Sequence, residues 1–193
     1  MAERLRISTA TNTERRAGFC AWFTGLSGAG KTTTAEALKA QLEDEGRLVT
    51  MIDGDALRER LPNLGFGREA RDTNVRLAGY VAKEIVFHGG IALCSLVSPY
   101  RDTRDEVRAM FPEDSFLEVH VATPLATCED RDVKGLYRRA RSGEIQAFTG
   151  ISDPYEEPRA PEIKLNTTEM NVEQNVELLM ADIVRRGFVQ RSV

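Results

Sequence analysis

A glycine-rich stretch, GLSGAGKTTT at residues 25–34, carries the residue types that hold a polyphosphate. Gly25, Gly28, Gly30, Lys31 and Thr32 fit the spacing G-x-x-x-x-G-K-[ST]. In that pattern the backbone N–H groups of the loop, Leu26, Ser27 and Ala29 included, converge on phosphates together with the start of the following helix. The lysine reaches the β and γ phosphates and the Thr32 hydroxyl turns to Mg²⁺. The implied chemistry is phosphoryl transfer from a nucleoside triphosphate. The loop does not choose the acceptor: water, a protein side chain and a small-molecule hydroxyl all remain open.

Acidic residues narrow the choice. The segment MIDGDALR places Asp53 and Asp55 two apart at the carboxyl end of an apolar run. One carboxylate there suits metal organisation, or acceptance of a proton from an attacking hydroxyl. The same Asp-Gly-Asp would equally serve as a turn capping the next helix. The run ending LVSP offers no acid, and no residue stands out as positioning a hydrolytic water. The balance favours a small-molecule hydroxyl as acceptor.

Cations surround that position. Arg58 follows the Asp pair within one helical turn, and Arg71 and Asn74 are three apart, so they share a helix face. Arginine is the usual bidentate partner of phosphate, which points to an anionic acceptor. In CEDRDVKGLYRRARSG, Arg131, Lys134, Arg138 and Arg141 stand at spacings of three, four and three. On one helix they would form a cationic stripe able to close over phosphates as a lid, though a solvated face has the same spacing. His88 and His120 read as structural, and no cluster has metal-ligand spacing.

The elements needed to position these residues are legible in outline. FCAWF (19–23) reads as strand one, running straight into the phosphate loop and a helix over 31–44. RLVTMI, ending at Asp53, is strand two, followed by a short polar helix. A long helix covers 71–87 and stops at Gly89-Gly90. IALCSLV is a third strand buried on both faces, and a helix after Tyr100 ends near Phe111-Pro112. FLEVHV is strand four, the charged segment 128–141 is largely helical, IKLN is strand five, and a helix over 172–185 closes the order. FTGISDPYEEPRAPE, with its prolines, is a long loop of the kind used as a lid. The alternation implies an α/β fold of the P-loop nucleoside triphosphate hydrolase type: a five-stranded parallel sheet flanked by helices, with a mobile lid. Residues 1–18 read as a polar, disordered tail and 19–193 as one P-loop domain.

Bulk properties agree. The 193 residues are 41% apolar and 29% charged, as in a globular protein. A net charge of −4 gives no electrostatic case for nucleic acid or an anionic membrane. Three scattered cysteines without a C-x-x-C pair fit a reducing compartment, and nothing in residues 1–18 resembles a signal peptide, so a cytoplasmic protein is expected.

Taken together, WFTGLSGAGKTT, DGD, LGF, RDTNVR, SPYR, KGLY and FTGISDPYE resemble the adenylylsulfate (APS) kinase family over nearly the whole chain. The resemblance implies ATP-dependent, Mg²⁺-assisted phosphorylation of the 3′-hydroxyl of adenosine 5′-phosphosulfate. It extends the ATP loop to Thr33 and implies that Asp55, Arg58, Phe66, Arg71 and Asn74 hold APS, with Asp55 the carboxylate expected to accept the hydroxyl proton or to organise the metal with Thr32. It adds Phe148 as an aromatic stacking on the APS adenine, with Val97, Ala147 and Lys134 nearby. It also implies Ser98 as a phosphoserine position, although Ser98 has no general base in its own motif. A homodimer and a functional link to ATP sulfurylase follow from the family as well. The chain departs from the family's pattern at Ala56, Ala70, Leu77 and the shortened segment around Pro62, all in the acceptor half. Two alternatives stand beside this reading: another small-molecule kinase, and a low-activity nucleotide-binding regulatory domain.

Overall fold

A computed structural model describes residues 17–60 and 67–190. All but the end of the expected tail, together with Pro62 and Phe66, therefore lie outside the described residues. The elements run β1 (Phe19–Thr24), α1 (Lys31–Asp44), β2 (Val49–Asp53), α2 (Gly54–Glu59), α3 (Arg68–Phe87) and β3 (Ile91–Ser95). They continue through α4 (Arg101–Arg108), β4 (Phe116–Val121), α5 (Leu125–Arg131), α6 (Leu136–Arg141), β5 (Ile163–Leu165) and α7 (Val172–Arg185).

The expected five-stranded sheet is present, in the order β2-β3-β1-β4-β5, with every pairing parallel. β1 lies at its centre, so both its faces are covered and its apolar run is continuous rather than alternating. Phe19, Ala21 and Phe23 pack with Leu38 and Leu42 of α1 and Leu179 and Ile183 of α7. Cys20 and Trp22 point the other way, into Val75, Ala78 and Ala82 of α3 and Val107 of α4. The period of two along one strand thus splits the core into two layers. α7 starts on a reciprocal capping box: Gln174 N–H donates to Asn171 Oδ1 (2.8 Å) and Asn171 N–H to Gln174 Oε1 (3.0 Å).

Two expectations are refined by the structure. The charged segment 128–141 is largely helical, as expected, but in two pieces rather than one. α5 ends at Arg131, Asp132 turns left-handed (φ 24°), and Gly135 (φ 65°) leads into α6. The Asp132 carboxylate accepts the N–H groups of Tyr137 (2.9 Å) and Arg138 (3.1 Å), so a local cap competes with continuation of the helix. The cationic stripe is broken accordingly: Arg131 and Lys134 turn to the phosphate-loop side, whereas Arg141 pairs with Glu129 on α5 (2.8 Å).

The loop expected to be a lid is fastened in its second half. Tyr155 OH bonds Thr24 Oγ1 (3.0 Å), its ring stacks on His120 (5.8 Å between centroids), and Glu156 N–H donates to Pro99 O (2.8 Å). β3 is also shorter than its apolar run, because the chain leaves the sheet after Ser95 and carries Leu96 to Pro99 along the wall of a cavity.

Candidate active site

Parallel strands leave their carboxyl ends on one edge, where β1, β2 and β3 deliver Thr24, Asp53 and Ser95. The turn from β1 into α1 needs glycine. Gly25 has φ 151°, and a Cβ there would stand 2.5 Å from Val121 O; Gly30 has φ 101° and abuts Thr167. The loop is braced from behind, since Thr123 Oγ1 (2.8 Å) and Thr167 Oγ1 (3.0 Å) both donate to Ala29 O. Tyr137 OH donates to Ser27 O (2.9 Å), and Arg131 Nη1 to Gly28 O (3.2 Å) and Thr167 Oγ1 (2.9 Å).

Lys31 is buried, and its Nζ donates to Leu26 O (2.8 Å). Burial lowers its pKa to about 8, with Asp55 opposing the shift and Lys134 adding to it. A desolvated ammonium at the end of a phosphate loop is set to gain most from a polyanion.

The Asp pair divides its work. Asp53 caps α2, accepting at Oδ1 from Asp55 N–H (2.9 Å) and Ala56 N–H (3.2 Å), and its Oδ2 takes the Thr32 hydroxyl (3.1 Å). Thr32 Oγ1 also lies 2.9 Å from Ser95 Oγ. The cap and the functional readings of Asp-Gly-Asp are therefore both realised, by two oxygens of one carboxylate. Asp55 faces the other way and pairs with Lys134 across the cavity mouth. Thr32 and Asp53 form an oxygen donor set suited to Mg²⁺, which binds through one or two carboxylates or hydroxyls plus phosphates and water. Sequence reasoning placed the metal on Thr32 and Asp55; Asp53 is the acid that touches Thr32.

A cavity of about 830 Å³ joins the loop to the cation cluster. Gly28, Lys31, Thr32 and Thr33 line one part, and Asp55, Arg58, Arg71 and Asn74 another, with Val97, Ser98, Lys134, Ala147 and Phe148 completing the wall. Leu26 and Arg131 are not among its lining residues. Burial, and after it the neighbouring Arg71 cation, lowers the Arg58 pKa, so two like charges stand ready for one anion. Asn74 Nδ2 donates to Gly54 O (3.1 Å), which leaves its buried Oδ1 without a partner among the described residues. A donor on a ligand would satisfy it. Phe148 lies edge-on to Tyr137, 5.0 Å between centroids.

Ser98 sits in a left-handed bend (φ 39°), almost fully buried. Its hydroxyl accepts from the Trp22 indole N–H (3.0 Å), and Arg104 Nη1 donates to its carbonyl (2.6 Å). Ser98, Asp132 and Ala147 are three non-glycine residues of positive φ, and all three line the cavity, where backbone strain is held by its surroundings. Sequence reasoning missed Trp22, Ser95 and Asp153. Trp22, at the head of WFTGLSGAGKTT, and Asp153, inside FTGISDPYE, lie in family motifs already singled out; Ser95 does not.

Comparison with known proteins agrees with this geometry. A family model described as adenylylsulphate kinase matches residues 17–166. The chain is 47% identical over 180 residues to the adenylyl-sulfate kinase of Microcystis aeruginosa, covering 93% of this chain and 98% of that one. With the adenylyl-sulfate kinase of Chloroflexus aurantiacus it shares 51% over 175 residues, covering 90% and 93%. Among solved structures, the APS kinase of Mycobacterium tuberculosis in complex with AMPPNP and APS superposes with a TM-score of 0.82 at 35% identity, covering 88% of this chain and 98% of that one. By sequence, fold and the residues gathered around one cavity, this chain belongs to the adenylylsulphate kinase family.

Proposed function

We propose that this protein transfers the γ phosphoryl group of ATP to the 3′-hydroxyl of APS, giving 3′-phosphoadenosine 5′-phosphosulfate. The observation that carries the reading is the single cavity that has the phosphate loop in one part and Arg58, Arg71 and Asn74 in another. Donor and acceptor can share it, as in-line transfer requires.

In this reading Gly25 to Thr33 bind ATP, with Arg131 bracing the loop. Lys31 follows the β and γ phosphates and stabilises the charge that builds in the transition state. Thr32 and Asp53 would hold Mg²⁺, which when bound neutralises charge on the phosphates. Arg58 and Arg71 grip the anionic end of APS, and Asn74 Oδ1 accepts from a hydroxyl or amino group of its nucleoside. Phe148 stacks on its adenine, beside Val97, Ala147 and Phe66. Lys134 leaves Asp55 for the substrate, freeing that carboxylate to take the hydroxyl proton. Transfer is direct, and Ser98 shapes the wall without carrying phosphate. Residues 133–146, ahead of the Ala147 carbonyl that Arg71 holds, are the part of the lid that moves. The same family reading carries a cytoplasmic homodimer linked in function to an ATP sulfurylase.

An acceptor panel tests this. ADP release from Mg²⁺·ATP is followed with APS, adenosine 5′-phosphate, gluconate or no acceptor. Turnover confined to APS is expected. Turnover with gluconate alone, or none with any acceptor, contradicts the reading.

A further inference from the structure

Arg71 is held before any ligand reaches it. Nη1 donates to Asp153 Oδ2 (2.5 Å) and Thr149 Oγ1 (2.8 Å), and Nη2 donates to Ala147 O. A guanidinium has five N–H donors, so Nε–H and one Nη2–H are left without a partner among the described residues, at the cavity wall. The same Asp153 oxygen accepts the hydroxyl of Tyr100 (2.6 Å). Tyr100 is buried, with the Arg68 guanidinium over its ring at 4.2 Å. One carboxylate oxygen thus ties α3, through Arg71, to the entrance of α4, through Tyr100.

Asp153 also closes a turn that carries Phe148. Its N–H donates to Phe148 O (3.1 Å), and its C=O accepts from Gly150 N–H (2.8 Å). Phe148 N–H donates to Ser152 Oγ (3.0 Å). Ala147, just before, is left-handed at φ 52°, an unfavourable conformation for alanine, and its carbonyl is the one that Arg71 binds. The bonds form a closed circuit: Arg71 to Asp153, Asp153 through the turn to Phe148 and Ala147, and Ala147 back to Arg71.

We propose that Asp153 is a positioning residue for the acceptor end of the cavity, fixing both Arg71 and the turn that presents Phe148. It supplies the counter-charge that holds Arg71 in place next to the like-charged Arg58, and the anchor that keeps the Ala147 carbonyl on Arg71. The identity of the ligand rests on the reading above; the tether itself does not.

The test uses Asp153→Ala, Asp153→Asn and Tyr100→Phe in the full chain. D153A raises KM for APS about tenfold or more while KM for ATP and kcat change less than about twofold. D153N, which keeps an acceptor oxygen, restores part of the loss. Y100F gives a smaller rise, and adding it to D153A makes nothing worse, because Tyr100 acts through the same carboxylate. Amide hydrogen exchange supplies the second readout. In D153A, residues 148–153 exchange faster, while those of α1 do not change. Equal KM increases for both substrates, or unchanged exchange across 148–153, overturns the proposal. Wild-type enzyme inactive on APS contradicts the proposed function instead, and the exchange result then decides the tether alone.

Discussion

Thr32 Oγ1 donates to Asp53 Oδ2 at 3.1 Å, bonding the first turn of the phosphate-loop helix to the end of β2. Because the other oxygen of Asp53 caps α2, its two roles can be separated by substitution. Asp53→Asn keeps a cap acceptor but loses the charge, so kcat falls by about 10²–10³ while Tm stays near wild type. Asp53→Ala loses both, and costs about 1 kcal/mol of stability as well. Turnover and thermal melts of the two variants, side by side, check this. Equal Tm losses with activity retained would remove Asp53 from the machinery.

Lys31 carries a pH signature. Its pKa is lowered to about 8 by burial, so the free enzyme loses the charge of Lys31 as pH rises through 8. Between that value and the ordinary lysine value the unfolded chain binds more protons than the folded one, so the cost of burying Lys31 is present below pH 8 and fades as pH rises towards the unfolded value. Bound phosphates favour the ammonium, so nucleotide binding near pH 8.5 takes up a proton. Calorimetry in buffers of different ionisation enthalpy should show that uptake, and Lys31→Met should abolish it.

Ser98 is not exposed for nucleophilic attack. Its hydroxyl accepts from Trp22 and has no base beside it. Ser98→Ala is expected to retain activity within about tenfold, since it removes only neutral hydrogen bonds, to Trp22 and Leu96. Acid-stable phosphate on Ser98 after exposure to radiolabelled ATP would contradict this.

Behind Ser98 lies a buried charge network. Arg104 Nε meets Glu118 Oε1 at 2.8 Å, and both side chains are buried. Removing Glu118 alone strands a buried cation, a loss of about 3–5 kcal/mol. Glu118→Leu should therefore lower the urea midpoint sharply, and adding Arg104→Met should restore part of it. Additive losses in the double variant would mean that the pair is not coupled.

Some of this was legible in the residues and some was not. β1, β4, α1 and α7 stand where apolar runs and helical periodicity put them, because each buries a face that the pattern encodes directly. The phosphate loop was equally plain. The cationic stripe misled, since charge spacing assumes an unbroken helix and the Asp132 cap with Gly135 breaks it. The bonds from Arg71 to Asp153, Thr32 to Asp53 and Trp22 to Ser98 join residues far apart in the chain, and no local pattern records which oxygen meets which donor. Asp53 and Asp55 are legible as a pair, but the expectation chose Asp55 for the metal, and only the turn of α2 decides that Asp53 is the carboxylate facing Thr32.

The most direct measurement is the identity of the product. ATP, Mg²⁺ and APS are incubated with the enzyme, and the nucleotide product is examined by mass spectrometry and ³¹P NMR. One added phosphate on the 3′-oxygen of APS, formed in step with ADP, is the predicted result. ADP formed without phosphorylated APS, or phosphate carried to any other position, would contradict the account.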